Sequence, residues 1–267
     1  MSTEIHKGIT IKSENEISLM SQAGKIVAMT QIILSNAMRV GISTLELDRI
    51  AEKEIRKNGA IPSFKGYMGF PSSICTSINN EIVHGIPSKR KIENGDIVSI
   101  DVGAIYNGYH SDSAFTIGIG DISDNAKKLI SDTKNALQIG INAAKHSSRV
   151  GDIGFSIQKH GDKLNYGIVK QYVGHGIGRS LHEEPQIPNY GDHGKGVELK
   201  SGMAIAIEPM FNLGSWETKV LDDEWTVVTS DGSISAHFED TIVITEHGSK
   251  ILSNIPEKKN IPIQKNN

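Results

Sequence analysis

The feature that most constrains the fold of this chain is an ordered set of motifs that occurs twice. Arg39-Val40-Gly41 opens a second helix in the first part of the chain, and Arg149-Val150-Gly151 takes the same place in the second. His84-Gly85-Ile86-Pro87 is echoed by His182-Glu183-Glu184-Pro185. Gly95 precedes Asp101 by the same interval that separates Gly202 from Glu208, and His110 and His237 each stand two residues before a carboxylate, Asp112 and Glu239. Four echoes in one order read as an internal duplication. The consequence is a single catalytic domain over 13–253, made of two α+β halves, about 13–120 and 121–253. A pseudo-twofold axis relates the halves, and each brings a histidine and two acids to a central cleft. A polar arm, 1–12, precedes them and a polar tail, 254–267, follows.

Local signals fill in each half. Ser13 with Glu16, and Ser43 with Glu46, are capping boxes that start helices, and Asn58-Gly59 ends the second of these. Ser123 caps a helix reaching about residue 145, and another follows near 151–164. Ile97-Val98-Ser99-Ile100-Asp101-Val102 is a strand, and Asn107-Gly108 is the turn of a hairpin. Further strands are expected near 168–173, 203–208, 225–229 and 236–245.

Composition narrows the class. A chain of 267 residues with 37% hydrophobic content can bury one substantial core. Its net charge of -3, from 28 basic and 31 acidic residues, gives no broad field toward nucleic acid or an anionic membrane. Cys75 is the lone cysteine, which excludes an internal disulfide and a cysteine zinc cluster and fits a reducing, cytoplasmic setting. The first residues lack the apolar run of a secretory signal. No stretch is read as approaching the ~18 consecutive apolar residues of a membrane span.

The chemistry lies in acids placed where acids are costly. Asp101 interrupts an apolar strand, which is expensive unless the carboxylate is paired or bound to a cation. The hairpin brings Asp112 beside it, and two close carboxylates repel unless a cation neutralises them. Glu208 ends the apolar run Met203–Ile207, and Glu239 sits beside Asp240, so that either can face inward by strand alternation. His175 is flanked by Gly174, Gly176 and Gly178, which permit close backbone approach and unusual φ values. Four carboxylates and one histidine form an oxygen-rich set suited to two divalent first-row ions. Two such ions lower the pKa of a shared water, so the chain reads as a dinuclear-metal hydrolase. A carboxylate-cluster nuclease would need a basic surface that is missing here.

Together with Ile82-Val83-His84-Gly85-Ile86-Pro87, Gly174-His175-Gly176-Ile177-Gly178, His182-Glu183-Glu184-Pro185, Ile207-Glu208-Pro209-Met210 and Phe238-Glu239-Asp240-Thr241, these residues resemble the type I methionine aminopeptidases. The motifs span about residues 10 to 252. The resemblance implies the α+β pita-bread (creatinase/aminopeptidase) fold, with a central curved antiparallel sheet covered by helices. It implies two metal ions, with cobalt, manganese, iron and zinc all compatible, held by Asp101, Asp112, His175, Glu208 and Glu239, with Asp112 and Glu239 bridging. It assigns Glu208 the proton shuttle, His182 the tetrahedral intermediate and His84 the scissile amide nitrogen. Tyr67, Phe70, Cys75, His84, Leu181 and Trp225 would line a methionine pocket. The substrates would be nascent polypeptide N-termini with a small second residue, met by a monomer with ribosome contact plausible for such a task. Leu181 stands where an aromatic residue often occurs, Ser63 where others carry a cysteine, and Lys65 looks inserted. Two rivals share the fold: an X-Pro aminopeptidase or prolidase, and a metal-free binding protein.

Overall fold

Helices form where the capping signals lie. In a computed structural model that describes residues 4–6 and 8–254, they are α1 (Glu14–Ala37), α2 (Thr44–Lys57), α3 (Asp124–Ala143) and α4 (Val150–Lys163). Residues 1–3 and 7 of the arm and 255–267 of the tail lie outside the described residues. Glu16 accepts from the Ser13 backbone N–H at 2.8 Å while Ser13 Oγ accepts from Glu16 N–H, and Ser43 with Glu46 repeats the arrangement. Each box satisfies two backbone donors that the first helical turn leaves unpaired. Ser123 caps α3. At α4 no hydroxyl is available, and Asp152 accepts from the Arg149 N–H at 2.7 Å instead.

Two expectations need correction. Arg39-Val40-Gly41 does not open α2, because that helix starts at Thr44 behind its cap Ser43. The residue equivalent to Arg149 is Ser43, since each precedes its helix and each makes an isolated antiparallel bridge, Ser43 to Lys91 and Arg149 to Glu198. The repeated tripeptide is therefore out of structural register. The Gly95 and Gly202 echo is in register: φ is +95° and +87°, and the two N–H groups donate to Ile119 and Ile244 carbonyls at 2.8 and 2.9 Å. The second correction concerns α1, whose 24 residues are by length and composition alone sufficient to cross a bilayer. Met20, Val27 and Leu34 are fully buried against the protein, and Gln31 Nε2 donates to the Ser113 carbonyl at 2.7 Å. α1 is thus a core helix.

All described strand pairings are antiparallel. The longest pair is the hairpin of Ile97–Tyr106 and Tyr109–Gly118, closed by Asn107 and Gly108 at φ +48° and +82°. Both central residues at positive φ give the turn whose twist matches the strands. Strand Ile74–Ile78 adds to its other edge and sets Cys75 opposite Asp101. In the second half, Gly174–Gly176, Ala204–Ile207 and Asp240–Thr245 are neighbours in one five-stranded sheet. The strands expected over 203–208 and 236–245 are both interrupted. Pairing stops at Ile207–Asp240 and resumes at Met210–His237, leaving Glu208-Pro209 opposite Phe238-Glu239 at the break. The strand expected at 168–173 is replaced by the short Gly167–Ile168 and Gly174–Gly176.

One apolar core unites helices and strands. Val98, Ile100, Val102 and Ala104 alternate toward it, with Leu34 of α1, Leu47 of α2, Leu137 of α3, Ile157 of α4 and Ile205 and Ile207 of the second half. Strand alternation sends Ser99, Asp101 and Gly103 to the opposite face. The halves meet on that face through two reciprocal contacts. Ala114 and Glu239 exchange backbone hydrogen bonds at 3.2 and 3.0 Å, and Thr241 Oγ1 both accepts from Asp112 N–H and donates to Asp112 C=O.

Candidate active site

The seam between the halves carries the acids. Asp101 and Asp112 stand on adjacent strands, diagonally offset, with Asp101 opposite Ala114 and Gly103 opposite Asp112. Each carboxylate shifts the other's proton affinity, a sign of how close they lie. Burial pushes Asp112 up to about 6, and burial with the Asp112 charge drives Asp101 well above the carboxylate range. Glu239 projects from the break between Ser235–His237 and Asp240–Thr245. Burial and the neighbouring Asp112, Asp101 and Glu208 raise it strongly. Glu208, at the matching break, is pushed up to about 8 by burial and Asp112, and Asn189 Nδ2 holds its backbone carbonyl at 3.0 Å. Asp240 turns the other way and accepts from Ser253 Oγ at 2.7 Å and Ser113 Oγ at 3.3 Å.

His175 reaches the same point from strand Gly174–Gly176. Its Nδ1 donates to the Gly176 carbonyl at 2.9 Å, which leaves the Nε2 lone pair free toward the acids. Burial lowers the imidazole to about 4, so it is neutral at physiological pH. The flanking glycines act through space, not through φ, since neither Gly174 nor Gly176 has positive φ. A Cβ at Gly174 would lie 2.3 Å from the Ala206 carbonyl, and one at Gly176 would lie 2.1 Å from that of Glu184.

One ligand atom each from Asp112, His175 and Glu239 lies within 4.8 Å of the others. Glu208 Oε1 is 3.9 Å from His175 Nε2, and Asp101 joins through Asp112. The five residues singled out in the sequence thus converge. The site's electrostatics fit cations. Asp101 Oδ1, Asp112 Oδ1 and Glu239 Oε1 are buried with no hydrogen-bond partner, a costly state for acceptors unless a positive charge meets them.

His182 and His84, two histidines without a ligand assignment, line the rim. His182 is exposed, stacks edge-on against His175 at 4.3 Å between centroids, and its Nδ1 is 2.7 Å from Tyr67 Oη. His84 is half-buried at φ +61° after strand Glu81–Val83, with Tyr172 and Trp225 edge-on at 5.6 and 6.4 Å. Burial lowers it to about 4. The six positions read as a pocket gather on this side: Phe70, Cys75, Leu181, Tyr67 and Trp225 share one apolar cluster, and His84 meets Trp225 at its edge. Phe70 packs edge-on to Trp225 at 5.1 Å. Ser63 hydrogen-bonds His110 Nδ1 at 3.0 Å, and Lys65 pairs with Glu52 at the surface.

Two residues take a part that sequence reasoning did not give them. His237 is buried, its Nε2 has no hydrogen-bond partner and lies 3.7 Å from Glu208 Oε2. Its echo with His110 marked it, but only as evidence of duplication. Thr241 clamps Asp112 across the seam. Nothing in the sequence separates that threonine from any other in a strand.

A model of metallopeptidase family M24 matches residues 18–246. The chain belongs to that family. The family M24 relatives include "Methionine aminopeptidase 1" of Bacillus subtilis, 53% identical over 247 residues, which cover 92% of this chain and all of the relative. Among solved structures, methionine aminopeptidase from Thermotoga maritima superimposes with a TM-score of 0.91 at 43% identity, covering 92% of this chain and 100% of the other. Prolidase from Pyrococcus furiosus matches less well, with a TM-score of 0.76 and 26% identity, and 92% of this chain covers only 66% of the prolidase. The pita-bread fold of family M24 is common to both, and the full-length, higher-identity matches lie on the methionine aminopeptidase side.

Proposed function

We propose that Asp101, Asp112, His175, Glu208 and Glu239 would hold two divalent ions, and that the adjoining apolar pocket takes a methionine side chain. The observation that carries this reading is the convergence of Asp112, His175 and Glu239 ligand atoms within 4.8 Å, beside three partnerless buried carboxylate oxygens. The chain is a metallo-exopeptidase, and its reaction is the hydrolytic removal of an N-terminal methionine. Bound ions supply Lewis acidity, lowering the pKa of water to near neutrality and polarising the first peptide carbonyl.

The residues of the chain do the rest. Glu208 carries a proton from the hydrolytic water to the departing amine, from its place at a strand break beside His175 and His237. Tyr67 fixes one edge of the His182 imidazole and leaves Nε2 to meet the carbonyl oxygen as charge develops there. His84, kept neutral by burial, hydrogen-bonds the scissile amide nitrogen. Phe70, Cys75, Leu181 and Trp225 offer thin, apolar walls tolerant of sulfur. The 13–253 domain acts as a monomer in the cytoplasm on nascent N-termini with a small second residue, within reach of the ribosome. A buried free Cys75 and the near-neutral charge support that setting.

Turnover of Met-Gly-Met against Ala-Pro and Gly-Pro peptides, after reconstitution with cobalt, manganese, iron or zinc in turn, tests this. Release of methionine is the expected result. Cleavage of the proline peptides alone would place the pocket with the prolidases, and failure to bind any of the ions would leave a binding protein.

A further inference from the structure

The turn that carries Leu181 and His182 is held from outside the catalytic set. Glu183 Oε1 accepts from the Ser180 N–H at 3.1 Å, and the Gly178 N–H donates to the Ser180 carbonyl at 3.1 Å, so the carboxylate closes the turn on itself. Glu183 Oε2 receives Lys12 Nζ at 2.7 Å and Thr10 Oγ1 at 2.8 Å, and Lys12 Nζ also hydrogen-bonds Thr10 Oγ1. The Lys12 side chain is 3% exposed, an almost complete burial for an ammonium group. Such a cation persists only when it is paired and hydrogen-bonded. The Lys12 backbone N–H in turn donates to Gly202 at 2.8 Å, the residue that opens the strand leading to Glu208. A Cβ on Gly178 would meet Lys12 Cε at 2.6 Å and Glu183 Oε1 at 2.8 Å, so the pair fills the space under the turn.

We infer that Lys12, Thr10 and Glu183 form a buried clamp by which the N-terminal strand Ile9–Ile11 positions His182 for the reaction. These are positioning residues: none of them reaches the ligand cluster, and all act through the turn. On its other side His182 is hydrogen-bonded by Tyr67 Oη and packs edge-on against His175, so the clamp helps to set how far the imidazole stands from the substrate carbonyl. Misplacing a catalytic group by even about 1 Å costs up to ~100-fold in rate.

The inference rests on the proposed peptidase reaction, and the test separates the two. Wild type, K12M, the double variant K12M/E183Q, K12R and T10V are assayed on Met-Gly-Met with melting temperatures recorded. K12M strands the Glu183 charge and is expected to lower both Tm and kcat. K12M/E183Q removes the stranded charge, so Tm recovers while kcat stays down about tenfold at little-changed KM. K12R keeps the charge and restores at least part of kcat. A double variant whose kcat returns together with its Tm overturns the clamp and leaves a structural ion pair. If K12M and the double variant do not fold, T10V decides: it removes one hydrogen bond to Glu183, and an unchanged kcat overturns the inference. A wild-type enzyme that spares Met-Gly-Met would refute the peptidase reading itself, independently of the clamp.

Discussion

Removing the ions should make the protein lose stability as pH rises, in a window where most proteins are indifferent to pH. Without cations, Glu208 keeps its proton up to about 8 in the folded state, whereas an unfolded glutamate releases it near 4.3. A folded-state pKa above the unfolded value means that the folded state binds the extra proton, so stability falls as pH climbs from the unfolded toward the folded pKa. Below about 6.5 the signal is mixed. His84, His110 and His175 at about 4, and His237 at about 3, are depressed by burial and gain stability as pH rises toward the ordinary histidine value. Above about 6.5 those imidazoles are neutral in both states, and Glu208 acts with Asp101 and Glu239, which shift in the same direction. One proton held only by the folded state gives a slope of about 1.4 kcal/mol per pH unit, or about 2 kcal/mol between pH 6.5 and 8 for Glu208 alone. For a chain of this size that is roughly 4–8 °C in melting temperature. Differential scanning calorimetry of EDTA-treated protein across that range should show the fall, and a saturating divalent ion should abolish it. A metal-free Tm that is flat or rises from pH 6.5 to 8 would refute the claim that these carboxylates are kept protonated by burial and by one another.

Other outcomes follow from the same geometry. Glu208→Gln should retain the fold but lose most turnover, because it weakens a ligand and the proton route together, and near-normal kcat would remove Glu208 from that role. His182→Ala should lower kcat by about two powers of ten if it stabilises the oxyanion, and an effect seen only in KM would count against it. Gly176→Ala should be strongly destabilising, since its Cβ meets the Glu184 carbonyl at 2.1 Å, and a Tm within a degree of wild type would contradict the close approach. Thr241→Val should cost about 2–4 kcal/mol by leaving both backbone groups of Asp112 unpaired at the seam. Urea denaturation measures that difference.

The clustered acids were legible where they break a local rule. An aspartate inside Ile97–Val102 and glutamates at the ends of apolar runs are costly in any fold without cations, so their chemistry showed before their positions did. The capping boxes were legible because both partners lie within one turn. The repeat was less faithful: Arg39-Val40-Gly41 matches Arg149-Val150-Gly151 as text, but connections absorb insertions that helices do not, and the equivalence falls on Ser43. Strand Gly174–Gly176 was invisible because glycine carries almost no strand preference, and only the crowding by Ala206 and Glu184 explains it. The length of the apolar run in α1 was underread, because its polar residues break it in the sequence while the 24-residue helix still passes as a span by length and composition. Lys12 and Glu183 could not be paired from sequence at all, because nothing local links positions 171 residues apart.

The seam has one more consequence. Asp101 and Asp112 come from one half and His175, Glu208 and Glu239 from the other, with Asp112 and Glu239 meeting where the halves exchange hydrogen bonds. In a chain whose single cysteine can form no internal disulfide, ions seated there would be links between the halves. They would join segments more than a hundred residues apart, and because the unfolded chain has no such site to offer, binding would favour the folded state by mass action. Metal supply would then govern the lifetime of the folded protein as well as its turnover, and protease resistance would become a readout of site occupancy that needs no substrate.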